Sequence, residues 1–434
     1  MFYIPKIREK LIQSQLLKEQ KFYEEYPIEQ IEKYQIQEFN KLWKDIIKHV
    51  QYYKKLVEEK KLPQSFESFD QFKDIPIISR QKISSNIELF INSSKKPDEW
   101  GTTGGSTGNP LQFPKWHSER QITEPSIWYL RSFYNIKRSD KMFRLWGHSH
   151  TMGKGISRIK NKVVFGIGLP LVGYKRFSAY DLSEEKLRTA GDQIIKFKPK
   201  YIIGYSKALY MLAKVNEDRK KHFHKLNLKA VLGAAEAYDR DEDREFVSEI
   251  FGCPAGLQYA TMEANYIAQT HPDGDYKTLW KNNLIECIDD EGNPSNSGRI
   301  VITTLYPKAL PLVRYELGDI IENCKKNNNS VYSFESIKGR NNDFLVIDGT
   351  PIHSEGITHA VKFSEKILAY QIRYTKDKVY TLYIKSNQKL DDRDIKEIRK
   401  RLKQVDKRLS NISIIQVDQL KQTIAGKTKW LMAE

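Results

Sequence analysis

The sequence predicts an α/β protein: a large N-terminal α/β domain followed by a small α+β domain. Between residues 120 and 260, apolar strand-like segments alternate with helical ones, an order typical of a sheet with crossover helices. After residue 280 the pattern changes to short β segments separated by Gly, Asn and Pro turns. Beyond Arg340 it changes again, to the order β-β-α-β-β-α-β. We therefore predict domains of residues 1–339 and 340–434.

The N-terminal part begins with helices and continues into the alternating region. Residues 6–61 are rich in Lys, Glu, Gln and Leu, with aromatic residues at helical spacing, which predicts two amphipathic helices. The alternating region predicts strands at Lys141–Trp146, Val163–Ile167, Tyr201–Gly204 and Ala230–Leu232, and helices at Ser183–Phe197, Lys207–Asn216 and Asp239–Phe251.

Short β segments dominate the last third of the chain. Strands are predicted at Leu284–Ile288, Arg299–Leu305 and Ile320–Glu322, and Asn323–Ser330 is expected to be a polar turn. The C-terminal domain is predicted to have strands at Phe344–Ile347, Ile352, Tyr370–Tyr374, Val379–Lys385 and Ile412–Val417, and helices at Ser354–Lys362 and Asp391–Leu409.

Composition indicates a folded, strongly basic protein. The 434 residues include 72 basic and 55 acidic side chains, a formal net charge of +17 with a pI near 9.3. This charge suits a nucleotide, coenzyme A, nucleic acid, an acidic saccharide or a membrane surface, and does not choose among them. Because the lysine excess is dispersed and often paired with glutamate on predicted helices, a solvated Lys-rich surface is the simpler interpretation.

The cysteines and the apolar segments indicate the cellular compartment of the protein. Cys253, Cys287 and Cys324 are widely spaced and suggest neither a disulfide framework nor a Cys-based zinc site, which fits a reducing cytoplasm. The longest apolar run, Val163–Tyr174, is far too short to span a membrane. Met1–Lys10 lacks an apolar segment of signal-peptide length. We expect a cytoplasmic protein without a transmembrane segment.

A Gly-rich segment is the most distinctive motif. Gly101–Pro110 contains four glycines and four hydroxyl residues, and almost nothing that packs in a core. Glycines let backbone N–H groups approach an anion and the hydroxyls add donors, so the segment predicts a phosphate-binding loop. The spacing of the common nucleotide loop is absent, since no Lys follows Gly108. A flexible connector is the alternative.

Other segments carry groups suited to a nucleotide. Gly233–Glu236 is a small-residue turn at the end of a strand, where α/β sheets bind ligands, although close packing of the next helix explains it equally well. Tyr259 can stack on a base and Glu263 can hold Mg²⁺ beside phosphate; a core Tyr and a surface Glu are the alternative.

The third and fourth segments lie closer to the C-terminus. Asp319 is a carboxylate able to accept both ribose hydroxyls, and Arg314 is a cation able to neutralise phosphate. Gly-Asp after a strand is also a common turn. Lys427 follows Gly426 in a C-terminal segment and can reach a phosphate from outside the main domain, unless it belongs to a mobile tail.

In their order and spacing these motifs resemble those of an adenylate-forming ligase of the phenylacetate–CoA ligase branch, including its relatives in capsular polysaccharide gene clusters. The resemblance covers nearly the whole chain. It implies a large N-terminal α/β domain with a β subdomain of the adenylate-forming type, and a small mobile α+β domain. The matching segments are Tyr52–Lys54 to Ile75–Arg80, Thr103–Pro110, Gly204–Ser206, Gly233–Glu236, Tyr259–Glu263, Thr303–Leu305, Pro311–Asp319, Gly339–Arg340 and Gly426–Lys427.

The resemblance also implies roles for single residues. Glu263 would bind Mg²⁺ and Asp319 would bind the ribose. Arg340, with the adjoining Asn341 and Asn342, would form the hinge between the domains. Catalysis would be carried by Lys427, Glu263 and Thr103, with Lys427 bridging the carboxylate and the α-phosphate. The ATP phosphates would be held by Thr103, Gly104, Gly105, Ser106, Thr107 and Gly108, and the rest of the nucleotide contacted by Gly233, Ala234, Ala235, Glu236, Tyr259, Ala260 and Thr261.

The chain departs from the family pattern at several positions. Ala260 and Met262 stand where Gly and Ser or Thr are usual, and the hydroxyl is on Thr261. Asn342 stands at a hinge position that is commonly Asp. Some relatives bind zinc near the segment Gln269–Pro272, but no Cys is available there. We expect Mg²⁺ with ATP and no structural metal.

The activity implied by the resemblance is that of an ATP-dependent, AMP-forming carboxylate ligase. It would convert a carboxylic acid to an acyl-adenylate and pyrophosphate, then pass the acyl group to a thiol such as coenzyme A or to an amine, in polysaccharide or secondary metabolite biosynthesis. An amide-forming ligase of capsule or O-antigen decoration is one alternative. A non-catalytic nucleotide- or nucleic-acid-binding protein is another, although the basic residues form no aromatic-interleaved stripe and we expect no nucleic-acid partner.

Overall fold

The computed structural model divides the chain into two compact units. The first consists of the described residues of 1–102, 112–140 and 254–340, and the second of those of 141–253 and 341–434. The division into domains at residue 339 stays a prediction. The structure describes residues 4–102, 112–147, 170, 172–179, 182–235, 237–238, 240–338, 344–348, 350–361, 363–364, 366–375, 377–421 and 430–433.

Helices and one hairpin open the first unit. Where two helices were expected there are three, α1 (Ile4–Glu25), α2 (Ile31–His49) and α3 (Gln51–Lys60), so that expectation is wrong. The breaks fall at Pro27, which has no N–H to donate, and at Val50, whose backbone is extended. The following elements are α4 (Phe69–Phe72), α5 (Arg80–Ser85), α6 (Ile87–Phe90), the antiparallel strands β1 (Glu99–Thr102) and β2 (Gln112–Lys115), and α7 (His117–Ser132).

Parallel strands and helices alternate in the 141–253 segment of the second unit. The strand order is β4 (Tyr174–Ser178), β3 (Met142–Trp146), β5 (Tyr201–Tyr205), β6 (Ala230–Ala234). The helices are α8 (Glu184–Phe197), α9 (Ser206–Val215), α10 (Lys220–His224) and α11 (Asp241–Phe251). β5 and β6 are buried along their whole length, as expected for parallel strands covered on both faces.

Antiparallel strands of residues 254–340 complete the first unit. One run of neighbours is β7 (Ala255–Thr261), β8 (Asn265–Thr270), β9 (Tyr276–Thr278), β14 (Ser330–Phe334) and β13 (Lys325–Asn327). A separate sheet has the order β10 (Asn283–Ile288), β11 (Gly298–Thr304), β12 (Tyr315–Glu322), β15 (Ser336–Lys338). The chain before α5 joins this sheet, because Ile78 pairs in parallel with Tyr315.

The 341–434 segment of the second unit has its own apolar core. It contains β16 (Phe344–Ile347), β17 (Thr350–His353), α12 (Ser354–Val361), β18 (Ile367–Tyr374), β19 (Tyr380–Ser386), α13 (Asp392–Val405), β20 (Ser413–Gln416) and β21 (Leu431–Ala433). The sheet order is β20-β19-β18-β21. Both helices contribute to the core, through Ile357 and Val361 of α12 and Ile398 and Leu402 of α13.

Most predicted elements are confirmed, with small shifts at their ends. The order β-β-α-β-β-α-β is confirmed, and β21 was not predicted. Asn323–Ser330 is wrong as a turn, because it contains β13, which pairs with β14. The predicted strand Val163–Ile167 lies outside the described residues. In the described part of the chain, no helix is long and apolar enough to cross a bilayer.

We expect Trp430→Ala to loosen the C-terminal segment. Trp430 is fully buried, lies against Tyr370 and accepts a backbone hydrogen bond from Ile372 at 2.6 Å. Removing such a side chain costs about 3–5 kcal/mol. Hydrogen exchange at the amides of β18 should therefore accelerate, whereas Leu368→Ala on the same strand, where the side chain is 43% exposed, should change little. Equal exchange in both variants would contradict this.

Candidate functional site

A hydrogen bond joins the residue predicted to flank adenine to the one predicted to bind ribose. Tyr259, on β7, donates its phenol proton to Oδ2 of Asp319 on β12 at 2.8 Å. Burial, reinforced by the charge of Asp319, raises the pKa of Tyr259 well above its usual range. The phenol therefore stays protonated, and it orients a carboxylate that keeps further acceptor positions for a ligand.

A bulge in β12 carries Asp319. On β11, Arg299 pairs with Ile320 and Val301 with Glu316, so that one residue of β11 faces three residues of β12. Gly318, in the middle of these three, has a φ of 86°, which glycine adopts without strain. The Gly-Asp pair is thus part of a strand bulge rather than a turn after a strand.

Glu263 lies in the tight turn between β7 and β8. The Thr261 hydroxyl accepts a hydrogen bond from the backbone N–H of Ala264 at 3.0 Å, and Asn265 follows with a φ of 59°. Glu263 is 8% exposed, and its carboxylate lies 3.5 Å from the guanidinium of Arg80 on α5. Mg²⁺ beside phosphate is commonly held by one or two protein carboxylates, so Glu263 fits that ion. The described residues contain no group of three metal-binding side chains.

Side chains that sequence reasoning missed support this turn. Lys115, at the end of β2, donates to Oδ1 of Asn265 at 3.1 Å. Asn265 donates to the Tyr306 hydroxyl at 3.1 Å, which in turn donates to the carbonyl of Ala264 at 3.2 Å. Burial, and then the charge of Lys308, lowers the pKa of Lys115. The sequence shows only a lysine shortly after the Gly-rich segment, which does not by itself indicate this role.

The residues that depart from the family pattern have defined contacts in the structure. Thr261 uses its hydroxyl within the turn, and Ala260 pairs with Tyr266 on β8. Met262 is 37% exposed and lies against Gly101 of β1, where an added Cβ would come within 2.7 Å of the Met262 sulfur. Gly101 thus allows the hairpin to pass close to the turn that carries Glu263.

Comparisons with known proteins identify the fold. No protein-family model matches the chain. Protein CapK of Staphylococcus aureus is 25% identical over 329 residues, covering 72% of this chain and 68% of CapK. A crystal structure of 2-hydroxyisobutyryl-CoA ligase with 2-HIB-AMP and CoA, in the thioesterification state, aligns with a TM-score of 0.60 and 16% identity over 94% of this chain and 91% of that one. An open conformation of that ligase aligns with a TM-score of 0.56 and 14% identity, over 93% of this chain and 91% of that one. The chain has the adenylate-forming ligase fold.

This ligase fold confirms the predicted fold class and the resemblance to adenylate-forming ligases. The narrower placement in the phenylacetate–CoA ligase branch stays a prediction. In the second unit, Gly233 and Ala234 end β6, and Ala235 follows with a φ of 70°. Thr103, Gly104, Gly105, Ser106, Thr107, Gly108, Glu236, Arg340 and Lys427 lie outside the described residues, as do Asn341 and Asn342.

Arg314 has a structural role in this ligase fold. Its Nε and Nη2 donate to the two carboxylate oxygens of Glu286 at 3.0 and 2.8 Å. Its Nη1 donates to the carbonyls of Lys73 and Ile75 at 2.6 and 2.7 Å. The side chain is buried, and its N–H groups donate hydrogen bonds to other residues of the protein. The expectation that Arg314 neutralises a phosphate is therefore wrong.

Arg314→Gln is expected to lower the free energy of unfolding of the first unit by about 3–5 kcal/mol, because it leaves the buried Glu286 charge uncompensated. Urea denaturation measures this loss. The control is Arg299→Gln on the neighbouring strand β11. The half-buried guanidinium of Arg299 pairs with Glu316 at 3.0 Å, and its removal should lower the free energy of unfolding by less than Arg314→Gln does. A stable Arg314→Gln protein that no longer binds ATP would restore the phosphate role.

Proposed function

We propose that this chain is an ATP-dependent ligase that adenylates a carboxylic acid and transfers the acyl group to a thiol or an amine. The observation that carries the proposal is the hydrogen bond from Tyr259 to Asp319 at 2.8 Å, within a unit that also holds Glu263 in a buried turn. A base-stacking ring, a ribose acceptor and a metal-binding carboxylate are the groups that adenylation requires of a nucleotide site.

Charge placement explains the remaining assignments. Attack of a carboxylate on the α-phosphorus brings two anions together, so cations placed where charge develops lower the barrier. Glu263 would hold Mg²⁺ against the phosphates, where the ion neutralises part of that charge. Lys427 would bridge the carboxylate and the α-phosphate, and Thr103 to Gly108 would surround the phosphates with N–H and hydroxyl donors. These roles rest on the sequence resemblance.

The acceptor is proposed as coenzyme A or an amine. Coenzyme A is an acceptor whose phosphates suit a protein of net charge +17. The resemblance to capsular polysaccharide relatives favours an amine. AMP release from the enzyme with its acid and ATP should increase with coenzyme A in the first case, and with an amino sugar or amino acid in the second.

The proposal is tested by ATP–pyrophosphate exchange over a panel of aromatic, fatty, amino and sugar acids. We expect exchange to require one class of acid and to fall by about 10²–10³-fold in Lys427→Ala, the size of losing one charge-stabilising group. Lys421→Ala, an exposed lysine six residues earlier, removes the same charge and should leave exchange unchanged. Exchange that persists in Lys427→Ala would remove that residue from the mechanism. No exchange with any acid would favour a nucleotide-binding protein without turnover.

Tyr259→Phe tests the link to the ribose carboxylate. A hydrogen bond to a charged group contributes about 1.5–3 kcal/mol, so we expect the KM for ATP to rise about tenfold or more with a smaller change in kcat. The matched control is Tyr266→Phe. The hydroxyl of Tyr266, on β8, donates a hydrogen bond to the neutral Gln258 side chain at 3.4 Å. Equal KM values for the two variants would mean that the Tyr259 hydroxyl does not position Asp319 for ATP.

A further inference from the structure

One face of the parallel sheet in the second unit is basic and aromatic. On β3, Phe143 and Leu145 are fully buried, and the alternating residues Arg144 and Trp146 lie on the opposite face. The neighbouring strand β4 pairs in register, with Arg176 beside Arg144. Both arginines therefore occupy the same face on adjacent strands.

The two guanidinium groups converge on one phenol oxygen. Arg144 Nη1 lies 3.4 Å from the Tyr174 hydroxyl, and Arg176 Nε lies 3.0 Å from it. The guanidinium of Arg144 also lies 4.5 Å from the ring centre of Trp146, and that of Arg176 lies 5.1 Å from the ring of Tyr174. The two guanidinium groups therefore lie close enough together for one anion to accept hydrogen bonds from both.

Arg144 has an unsatisfied donor. Its Nε is buried without a hydrogen-bond partner, and within the described residues no carboxylate pairs with its guanidinium. Buried donors on charged groups are normally satisfied by a side chain, water or ligand. The guanidinium of Arg144, stacked on Trp146 and with its Nε unused, matches the oxygens of a carboxylate or phosphate group.

The local composition agrees with an anionic ligand. The protein has 55 acidic residues in 434, yet residues 141–180 contain no Asp or Glu. Although the lysine excess is dispersed elsewhere, the charge of this segment is entirely positive. Its basic residues are Lys141, Arg144, Lys154, Arg158, Lys160, Lys162, Lys175 and Arg176.

The arginine pair shares its sheet with a candidate nucleotide-binding turn. Trp146, at the carboxyl end of β3, lies 4.3 Å from the ring of Tyr205 at the end of β5. Tyr205 pairs with Ala234 at the end of β6. Because adjacent strands are about 4.8 Å apart, the ends of β3 and β6 are separated by about 10 Å. This distance suits a substrate group located beside a nucleotide.

We propose that Arg144 and Arg176 bind an oxyanion, a carboxylate or phosphate group, of the acid substrate or of the acyl acceptor. The assignment of that group to a substrate rests on the proposed ligase function. The binding of an oxyanion does not, and it is measurable whether or not the protein adenylates an acid.

Titration calorimetry with inorganic phosphate tests the site, with saturating AMP present so that a nucleotide site is filled. We expect Arg144→Gln to weaken phosphate binding about tenfold or more, the loss of one charged hydrogen-bonding group, and Arg144→Lys to weaken it less. Arg393→Gln, which removes the same charge from a side chain that is 94% exposed, should bind as the wild type does. Absence of phosphate binding to the wild type, or equal binding by the folded Arg144→Gln and Arg144→Lys proteins, would overturn the proposal.

Two further measurements identify the source of the oxyanion. If it belongs to the acid, Arg144→Gln should raise the KM of dicarboxylic or phosphorylated acids in pyrophosphate exchange and leave that of monocarboxylic acids unchanged. If it belongs to the acceptor, exchange should be unaffected and acyl transfer to a phosphate-bearing amine or thiol should be slower. Normal kinetics in both assays would overturn the assignment to a substrate, even where phosphate still binds.

Discussion

The buried guanidinium of Arg314 joins three distant parts of the first unit. It pairs with Glu286 on β10 and donates to the carbonyls of Lys73 and Ile75, just before the chain enters α5. Ile78 extends this connection by bonding to both neighbours of Tyr315 at the start of β12. The Arg314 side chain, together with Ile78, therefore holds the chain before α5 against the strand that carries Asp319. The Arg314–Glu286 ion pair contributes strongly to stability because it is buried: removing one partner leaves the other charge without water or a counter-charge.

The described part of the candidate site is built from strands and tight turns rather than from long loops. Tyr259 comes from β7, Asp319 from a bulge in β12, and Glu263 from a turn closed by Thr261 and Asn265. Each side chain is held by hydrogen bonds or close packing within the same unit. Groups held in this way lose little freedom when a ligand binds, which is the property that electrostatic catalysis requires.

Periodicity predicts part of the secondary structure and none of the pairing. The strands β3, β5 and β6 and the helices α8, α9 and α11 lie within a few residues of their predicted positions, because the 2-residue and 3.6-residue periods are local properties of the sequence, whereas β4 and β7 to β9 were not predicted. The bulge at Gly318 depends on the pairing of β12 with β11, which no local period shows. Arg314 shows the limit most clearly: a conspicuous cation near a ribose motif indicated phosphate, and only the position of Glu286 reveals its structural role. The role of Lys115 is not predictable from the sequence either, because its hydrogen-bond partner Asn265 is 150 residues away.

The pairing of Ile78 with Tyr315 also constrains how the chain matures on the ribosome. The N-terminal helices cannot complete their packing until the strands near residue 315 have been made. At about 5–20 residues per second, that interval is roughly 10–50 seconds. For most of it, α2 lacks the contact with β10 in which Gln35 donates to the carbonyl of Asn283 at 3.1 Å. The N-terminal segment of the nascent chain therefore lacks part of its final packing until β10 and then β12 have been made.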